Sequence, residues 1–249
     1  MKPTLVTGSN GRLGKYFKPF LPTGIFPLHQ ELDITNKEQV FEFIEKTRPK
    51  TIIHLAALTR IPTCEQKWQE AWQVNVEGTQ NLVDACKKFR VSRFILMSTP
   101  CVLDGESDES NDENAIPHPT SWYGITKMCS ELIVRQLKNY VIVRSNFVEP
   151  KQWEYSEAFT DRFSYYLLSN NLAQAIISIV RKRSLQGIIH VCGDKKMSMY
   201  DLAKFLPNGD KIKPTTLKIY YEKNPAAQKL TKNMLLSSKK VGCFKMSVD

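Results

Sequence analysis

The sequence contains no run of about 18 apolar residues, so nothing in it reads as a transmembrane helix. No apolar stretch of the secretory type precedes the first strand-like run, Thr4-Leu5-Val6, which argues against export. The six cysteines (Cys64, Cys86, Cys101, Cys129, Cys192 and Cys243) are scattered, without the close pairs of a metal site. Several sit in apolar runs, where a thiol behaves as a small hydrophobe, and a reducing cytoplasm is the expected compartment. Internal repeats and low-complexity tracts are absent. Acidic side chains are short in supply, 25 against 35 Lys and Arg, leaving a formal charge of +10. The cations are dispersed, and their densest groups, Lys87-Lys88, Arg181-Lys182-Arg183, Lys195-Lys196 and Lys239-Lys240, carry no interleaved aromatics. This pattern argues against a nucleic acid or a membrane as partner and for an anionic small molecule.

What is present is enough for a core. With 249 residues, 42% of them hydrophobic, the chain can build one large domain or one and a half. Its organising stretch is Val6-Thr7-Gly8-Ser9-Asn10-Gly11-Arg12-Leu13-Gly14. This stretch follows a strand-like run and precedes Lys15-Tyr16-Phe17-Lys18-Pro19-Phe20, which reads as the first turns of a helix ended early by prolines. Strand, glycine turn and helix start are the dinucleotide-binding opening of a Rossmann fold. Gly8 permits the turn, Gly11 the approach of a pyrophosphate and Gly14 close helix–strand packing.

Along the chain, 24–28 reads as a second strand whose tip is His29-Gln30. An NAD enzyme often carries an acid at that tip, and here Glu31 comes one step late while Arg12 and Lys15 lie near the turn. NADP is therefore the expected cofactor, with NAD open. Thr35 or Asn36 can cap a helix over 37–48, and 51–57 reads as a strand buried on both sides. His54, inside that strand, reads as structural. A helix is expected over 65–90, a hydroxyl-ended strand over 93–99 and a polar, acidic, mobile flap over 104–119. A helix from Ser121 to about Leu137 and a strand over 140–144 follow. The alternation predicts an α/β fold, a doubly wound parallel sheet. Beyond Pro150 the rhythm changes: 153–166 is aromatic and irregular, 171–182 helical, 187–191 a strand and 199–205 a short helix. From Pro207 the tail is lysine-rich, with little core material. We therefore expect a dinucleotide-binding domain over 1–150 and a smaller substrate-binding region over 151–249, with 171–206 partly returning to the Rossmann core.

Tyr123 and Lys127, four apart on a predicted helix, project from one face. A phenol with its ordinary pKa near 10 exchanges protons poorly at neutral pH, and a nearby ammonium is expected to pull that value down. Thr99, or Ser98, ends the neighbouring strand at the crevice where open α/β sheets bind ligands.

These motifs carry a family resemblance. The chain resembles the extended short-chain dehydrogenases/reductases, and most closely the dTDP-4-dehydrorhamnose reductases of dTDP-rhamnose biosynthesis. The resemblance runs through TGSNGRLG at 7–14, LDITN at 32–36, HLAA at 54–57, NVEGTQNLVDAC at 75–86, STPCVLDG at 98–105, YGITK at 123–127 and VRSNFV at 143–148. It continues through 171–206 and into LTKNMLLSSKKVG near the end. It implies Thr99, Tyr123 and Lys127 as the catalytic trio. Gly8, Gly11, Arg12, Leu13 and Gly14 would line the pyrophosphate, with Asn10 also in the cofactor site and Asp33 and Ile34 against the adenine. Leu55, Ala56 and Ala57 would lie along the cofactor. Asn75 would belong to the cofactor site and support the active-site lysine or the neighbouring strand. The implied reaction is hydride transfer from NAD(P)H to the C4 ketone of a deoxyhexose on a nucleoside diphosphate, in an oxidoreductase needing no metal. A homodimer is one assembly open to such a chain.

The chain departs from the family at Pro100-Cys101, where an acid and an aromatic usually stand, at Ile61-Pro62, and in the short segment between Pro150 and Asn171. Two other readings follow from these departures: a nucleotide-sugar epimerase or dehydratase on the same fold, or a non-catalytic NADP-binding regulatory subunit. Without an acid at Pro100-Cys101, dehydration is disfavoured.

Overall fold

A computed structural model describes residues 3–227 and 229–247. Thr4–Thr7 forms β1, every residue buried, and runs parallel to β2 (Thr51–His54) in the register Leu5 to Ile52. β3 (Arg93–Ser98) and β4 (Tyr140–Arg144) add in parallel, and the sheet is closed by Gly187–His190. Successive strand residues point to opposite faces, so apolar residues must occupy consecutive positions when both faces are covered. On one face Leu5, Ile52, Phe94, Leu96 and Ile142 pack with Val40 and Ile44 of α1 (Lys37–Thr47) and Leu82 and Val83 of a later helix. On the other, Val6, Ile53, Ile95, Val141 and Val143 pack with Phe17 and with Leu172 and Ile176.

Four sequence expectations change here. The stretch 24–28 is not a strand: it makes a single bridge, Ile25 to Leu5, through Val6 N–H to Ile25 O (2.9 Å) and Ile25 N–H to Thr4 O (2.8 Å). Pro27 has no N–H to continue the ladder. After the glycine turn comes a 3₁₀ segment, Gly14–Phe20, with Pro19 inside it, rather than a regular α-helix. The helix expected over 65–90 begins earlier, at Ile61-Pro62, and is divided into α2 (Ile61–Gln66), α3 (Trp68–Trp72), a π-helical turn (Gln73–Glu77) and α4 (Gly78–Phe89). Pro62 fits the first turn, where its missing N–H costs nothing. The flap over 104–119 is docked. Asn111 bridges Leu236, and the buried Glu113 carboxylate accepts hydrogen bonds from the N–H groups of His190 (3.2 Å) and Lys239 (3.0 Å) and from the Ser238 hydroxyl.

Asn36 caps α1, its side chain accepting from Gln39 N–H, and Ser121 caps α5 (Trp122–Val134) by accepting from Gly124 N–H. Beyond β4 come short strands: β5 (Phe147–Val148), β6 (Glu157–Phe159), β7 (Phe163–Ser164) and β8 (Leu167–Leu168). The stretch 153–166 is thus less irregular than its sequence reads. α6 (Ser169–Arg181) then covers the main sheet, which β9 (Gly187–His190) joins beside β4. β10 (Met197–Ser198) leads into α7 (Met199–Phe205), whose start is a capping box of Ser198 and Asp201. β11 (Lys213–Thr215) pairs with β6, α8 (Leu217–Lys223) follows, and β12 (Asn233–Met234) pairs with β7. The tail does hold core material: Thr231, Asn233, Met234, Leu235 and Leu236 are buried. Pairing partners 50 or more positions away leave no local signature for such strands (Glu157 with Lys213, Phe163 with Asn233).

Candidate active site

Two adjoining clefts open at the carboxyl ends of β1, β2 and β3, the usual ligand position of an open parallel sheet. The glycine turn divides them, and Gly8, Gly11 and Ala57 line both. Gly8 has φ +68°, and a Cβ on it would lie 2.6 Å from Ala56 N. A Cβ on Gly14 would lie 2.2 Å from Gly8 O. Neither position accepts a side chain, and the cradle is held open by that requirement.

The smaller cleft, about 330 Å³, is lined by Asn10, His29, Asp33, Ile34 and Ala56 among others. The Asp33 carboxylate is turned onto Thr35, accepting from its N–H (2.9 Å) and hydroxyl (2.8 Å). Arg12 and Lys15, the cations behind the expectation of NADP, line the other side or leave the site. Arg12 reaches Thr59 on the larger cleft (3.3 Å), and Lys15 pairs with the buried Glu149. The polar ring lining this smaller cleft is His29.

The larger cleft, about 450 Å³, brings together Arg12, Leu13, Gly14, Leu55, Thr99, Tyr123 and Lys127. Thr99 rather than Ser98 supplies the free hydroxyl. Ser98 Oγ donates to Glu131 (2.6 Å), whose carboxylate also takes two bonds from the buried Arg144 guanidinium (2.9 and 2.7 Å). Thr99 Oγ accepts from Cys101 N–H (3.2 Å) and hydrogen-bonds with Tyr123. Tyr123 lines the cleft and is partly exposed, yet burial and then the adjacent Cys101 thiol push its phenol above the ordinary tyrosine value. The Thr99 hydrogen bond and Arg12 oppose this without reversing it. The expected lowering by Lys127 is therefore not what this chain does, and Tyr123 holds its proton at neutral pH. Lys127 itself is 3% exposed; burial pulls its ammonium down to about 8, and Glu131 pulls the other way.

His54 bridges Thr7 (2.7 Å) and Thr79 (3.1 Å) inside the sheet. Burial, then Lys127, lowers it to about 3, so it is neutral and structural. Asn75 lines neither cleft. Its amide donates to Leu58 O (2.9 Å) and Thr126 Oγ1 (3.0 Å) and accepts from Leu58 N–H (2.8 Å). It thereby ties the loop after β2 to α5 between Tyr123 and Lys127. The π-turn that aims it is a common device at functional sites.

The opposite wall escaped sequence reasoning. It comprises Ser145, Trp153, Arg162, Tyr166, Met199 and Met234, drawn from stretches without periodic pattern. The aromatic density of 153–166 was the one available signal. No carboxylate lines this cleft among the described residues, whereas Arg12, Lys127 and Arg162 do. Among the described residues no cluster of three or more His, Cys, Asp or Glu could hold a metal, and no helix is long and apolar enough to cross a membrane.

Comparison with known proteins places residues 1–155 in a match to the family described as RmlD substrate binding domain. The dTDP-4-dehydrorhamnose reductase of Aggregatibacter actinomycetemcomitans is 30% identical over 228 residues, 82% of this chain and 77% of that one. The dTDP-4-keto-6-deoxy-D-glucose reductase of Streptomyces niveus is 30% identical over 80% of this chain and 76% of its own. Among solved structures, dTDP-4-dehydrorhamnose reductase from Bacillus anthracis in complex with NADP superposes with TM-score 0.85 at 25% identity. That superposition covers 95% of this chain and 90% of the other.

Proposed function

The chain belongs to the RmlD substrate binding domain family, within the extended short-chain dehydrogenases/reductases, and from that premise we propose that it uses NADPH to reduce the 4-keto group of a nucleotide-linked deoxyhexose. The observation that carries this reading is the convergence of Thr99, Tyr123 and Lys127 on a cation-lined cleft contiguous with the glycine turn. The cradle fits a dinucleotide: Gly8 and Gly14 leave no room for side chains, and Lys127 is a buried cation without an ion pair among the described residues. Gly8, Gly11, Arg12, Leu13 and Gly14 would hold the pyrophosphate, Asp33 and Ile34 the adenine, and Lys127 the nicotinamide ribose. Leu55, Ala56 and Ala57 would lie along the cofactor. Bound there, the dinucleotide supplies a hydride.

The residues of the chain do the rest. Thr99 orients the ketone oxygen beside the phenol, and Tyr123 delivers its proton to the alkoxide as charge develops. A phenol raised by burial suits the reductive direction, because it reaches the reaction protonated. The cation-lined, acid-free wall attracts an anionic nucleotide sugar and offers no carboxylate pair for dehydration. Residues 1–150 form the dinucleotide half, and 151–249 the sugar-facing wall, apart from the return of 171–206 to the core. The cytoplasm, which supplies NADPH, is the assigned location.

The test is NADPH oxidation with a panel of 4-keto nucleotide sugars. Turnover with one of them supports the reading. NADPH binding with no turnover across the panel would assign the chain instead to the binding-only class.

A further inference from the structure

Three arginines are buried in this protein, and two of them are neutralised from within. Arg144 is paired with the Glu131 carboxylate. Arg93 donates to the carbonyls of Ile179, Lys182, Arg183 and Leu185. Arg162 is different. It is 7% exposed, its Nε donates to Thr231 O (3.0 Å), and its guanidinium lies 5.4 Å from the Phe159 ring centre. Its two terminal nitrogens have no hydrogen-bond partner, and it has no ion pair, among the described residues. Burying a guanidinium is costly unless an anion completes it. Arg162 lines the larger cleft, so an anion can reach it there.

A second, independent observation lies beside it. Tyr166 is 2% exposed, lines the same cleft, and its hydroxyl has no hydrogen-bond partner among the described residues. The Ser145 hydroxyl, also on this wall, is likewise unpartnered. Buried hydroxyls are almost always satisfied, and these two sit where a ligand would satisfy them. The backbone behind Tyr166 is fixed, since Tyr165 O accepts from Gly193 N–H (3.1 Å).

These groups share one cleft with the reacting residues. Tyr123 feels Arg12 and Cys101, whereas Tyr166 feels Arg162 and Cys101. Cys101, which neighbours both phenols, lines the same cleft. In a sugar whose C4 oxygen meets Thr99 and Tyr123, the anomeric phosphate leaves the opposite side of the ring, and Arg162 and Tyr166 offer it donors that lack partners in the same cleft.

We propose that Arg162 and Tyr166, with Ser145 alongside, form the subsite that holds the diphosphate of the substrate. This rests on the reading that the cleft takes a nucleotide sugar. A guanidinium grips phosphate oxygens through paired N–H donors, and a neutral phenol adds a third donor.

The test is calorimetric titration of the NADP-saturated protein, whose own pyrophosphate site is then filled, with dTDP, UDP and GDP, and with thymidine as the uncharged control. At least one diphosphate should bind, and thymidine should bind far more weakly. Arg162→Gln should weaken the diphosphate at least tenfold, Arg162→Lys by less, and both should leave NADP affinity unchanged. Because Arg162 also holds Thr231, its replacement could unfold the chain, so Tyr166→Phe is the second arm. Removing an unpartnered hydroxyl should leave the melting temperature of the ligand-free protein unchanged or higher, while weakening the diphosphate several-fold. The subsite is overturned if no diphosphate binds, if Tyr166→Phe and a folded Arg162 variant bind it as wild type does, or if NADP affinity falls in parallel. A chain that reduces no keto-sugar yet binds a diphosphate through Arg162 keeps the subsite and loses the reductase reading. Turnover with a diphosphate affinity indifferent to Arg162 does the reverse.

Discussion

Tyr123 and Lys127 share one helical face, and the proposed function divides proton delivery and cofactor contact between them. Tyr123→Phe keeps the ring and removes the proton donor, so turnover should fall by roughly a hundredfold or more while NADPH affinity is unchanged. Lys127→Met should damage both, with steady-state kinetics and fluorescence titration of NADPH as the readouts. The Lys127 ammonium, pulled down to about 8, also predicts that NADPH affinity in the wild type weakens as pH rises through about 8. That dependence should flatten in Lys127→Met. His54 gives a stability prediction. Its folded value of about 3 lies below the unfolded 6.5, so the unfolded chain binds the extra proton between these values, and stability is lost as pH falls through that window. In urea melts, the stability advantage of wild type over His54→Asn should shrink from pH 7 to pH 4.

At the scale of elements, α5 is the part that must not move, because it carries both functional side chains. It is anchored at its C-terminal half by Glu131, which takes Arg144 and Ser98, and at its middle by Asn75 through Thr126. Glu131→Ala leaves the Arg144 guanidinium uncompensated and should cost about 3–5 kcal/mol in denaturant melts. Asn75→Ala should cost about 1–3 kcal/mol, the penalty of unpaired Leu58 and Thr126 groups. It should also lower turnover more than NADPH affinity, since Asn75 positions the helix without lining either cleft.

Across the whole molecule, an acidic loop is fastened to a basic tail. Glu106 pairs with Lys229 (2.6 Å), Asp108 accepts from Asn233 (2.8 Å), Asp112 pairs with Lys239, and Asn111 exchanges backbone bonds with Leu235 and Ser237 (3.0 and 2.9 Å). Burial pushes the Glu113 carboxyl up, but the hydrogen bonds from Lys239 N–H, Ser238 and His190 N–H outweigh it and hold the group below the usual carboxylate value. Its contribution to stability is present above that usual value and lost as pH falls below it. Hydrogen exchange should show the Asn111 and Ser237 amides protected and the exposed 106–110 stretch exchanging fast. Fast exchange at Asn111 and Ser237 in the ligand-free protein would restore the picture of a free flap.

Local chemistry determined the first half of this protein. Gly11 and Gly14 are forced by contacts within one turn and Gly8 by its positive φ, to which the approach of Ala56 adds; the four-residue step from Tyr123 to Lys127 needs only a helix, and the continuous apolar runs need only a sheet covered on both faces. Those patterns act over a few residues, so they are written in adjacent letters. Tertiary structure decided the remainder. Which of Ser98 and Thr99, both lining the cleft, keeps a free hydroxyl depends on Glu131, itself held by Arg144, capturing Ser98. Whether Asn75 touches the ligand depends on a loop and a helix 17 and 51 positions away competing for its amide. The far wall, Arg162 and Tyr166 included, is assembled from two-residue strands whose partners lie far along the chain. No local periodicity can encode a contact whose two halves meet only once the sheet has formed.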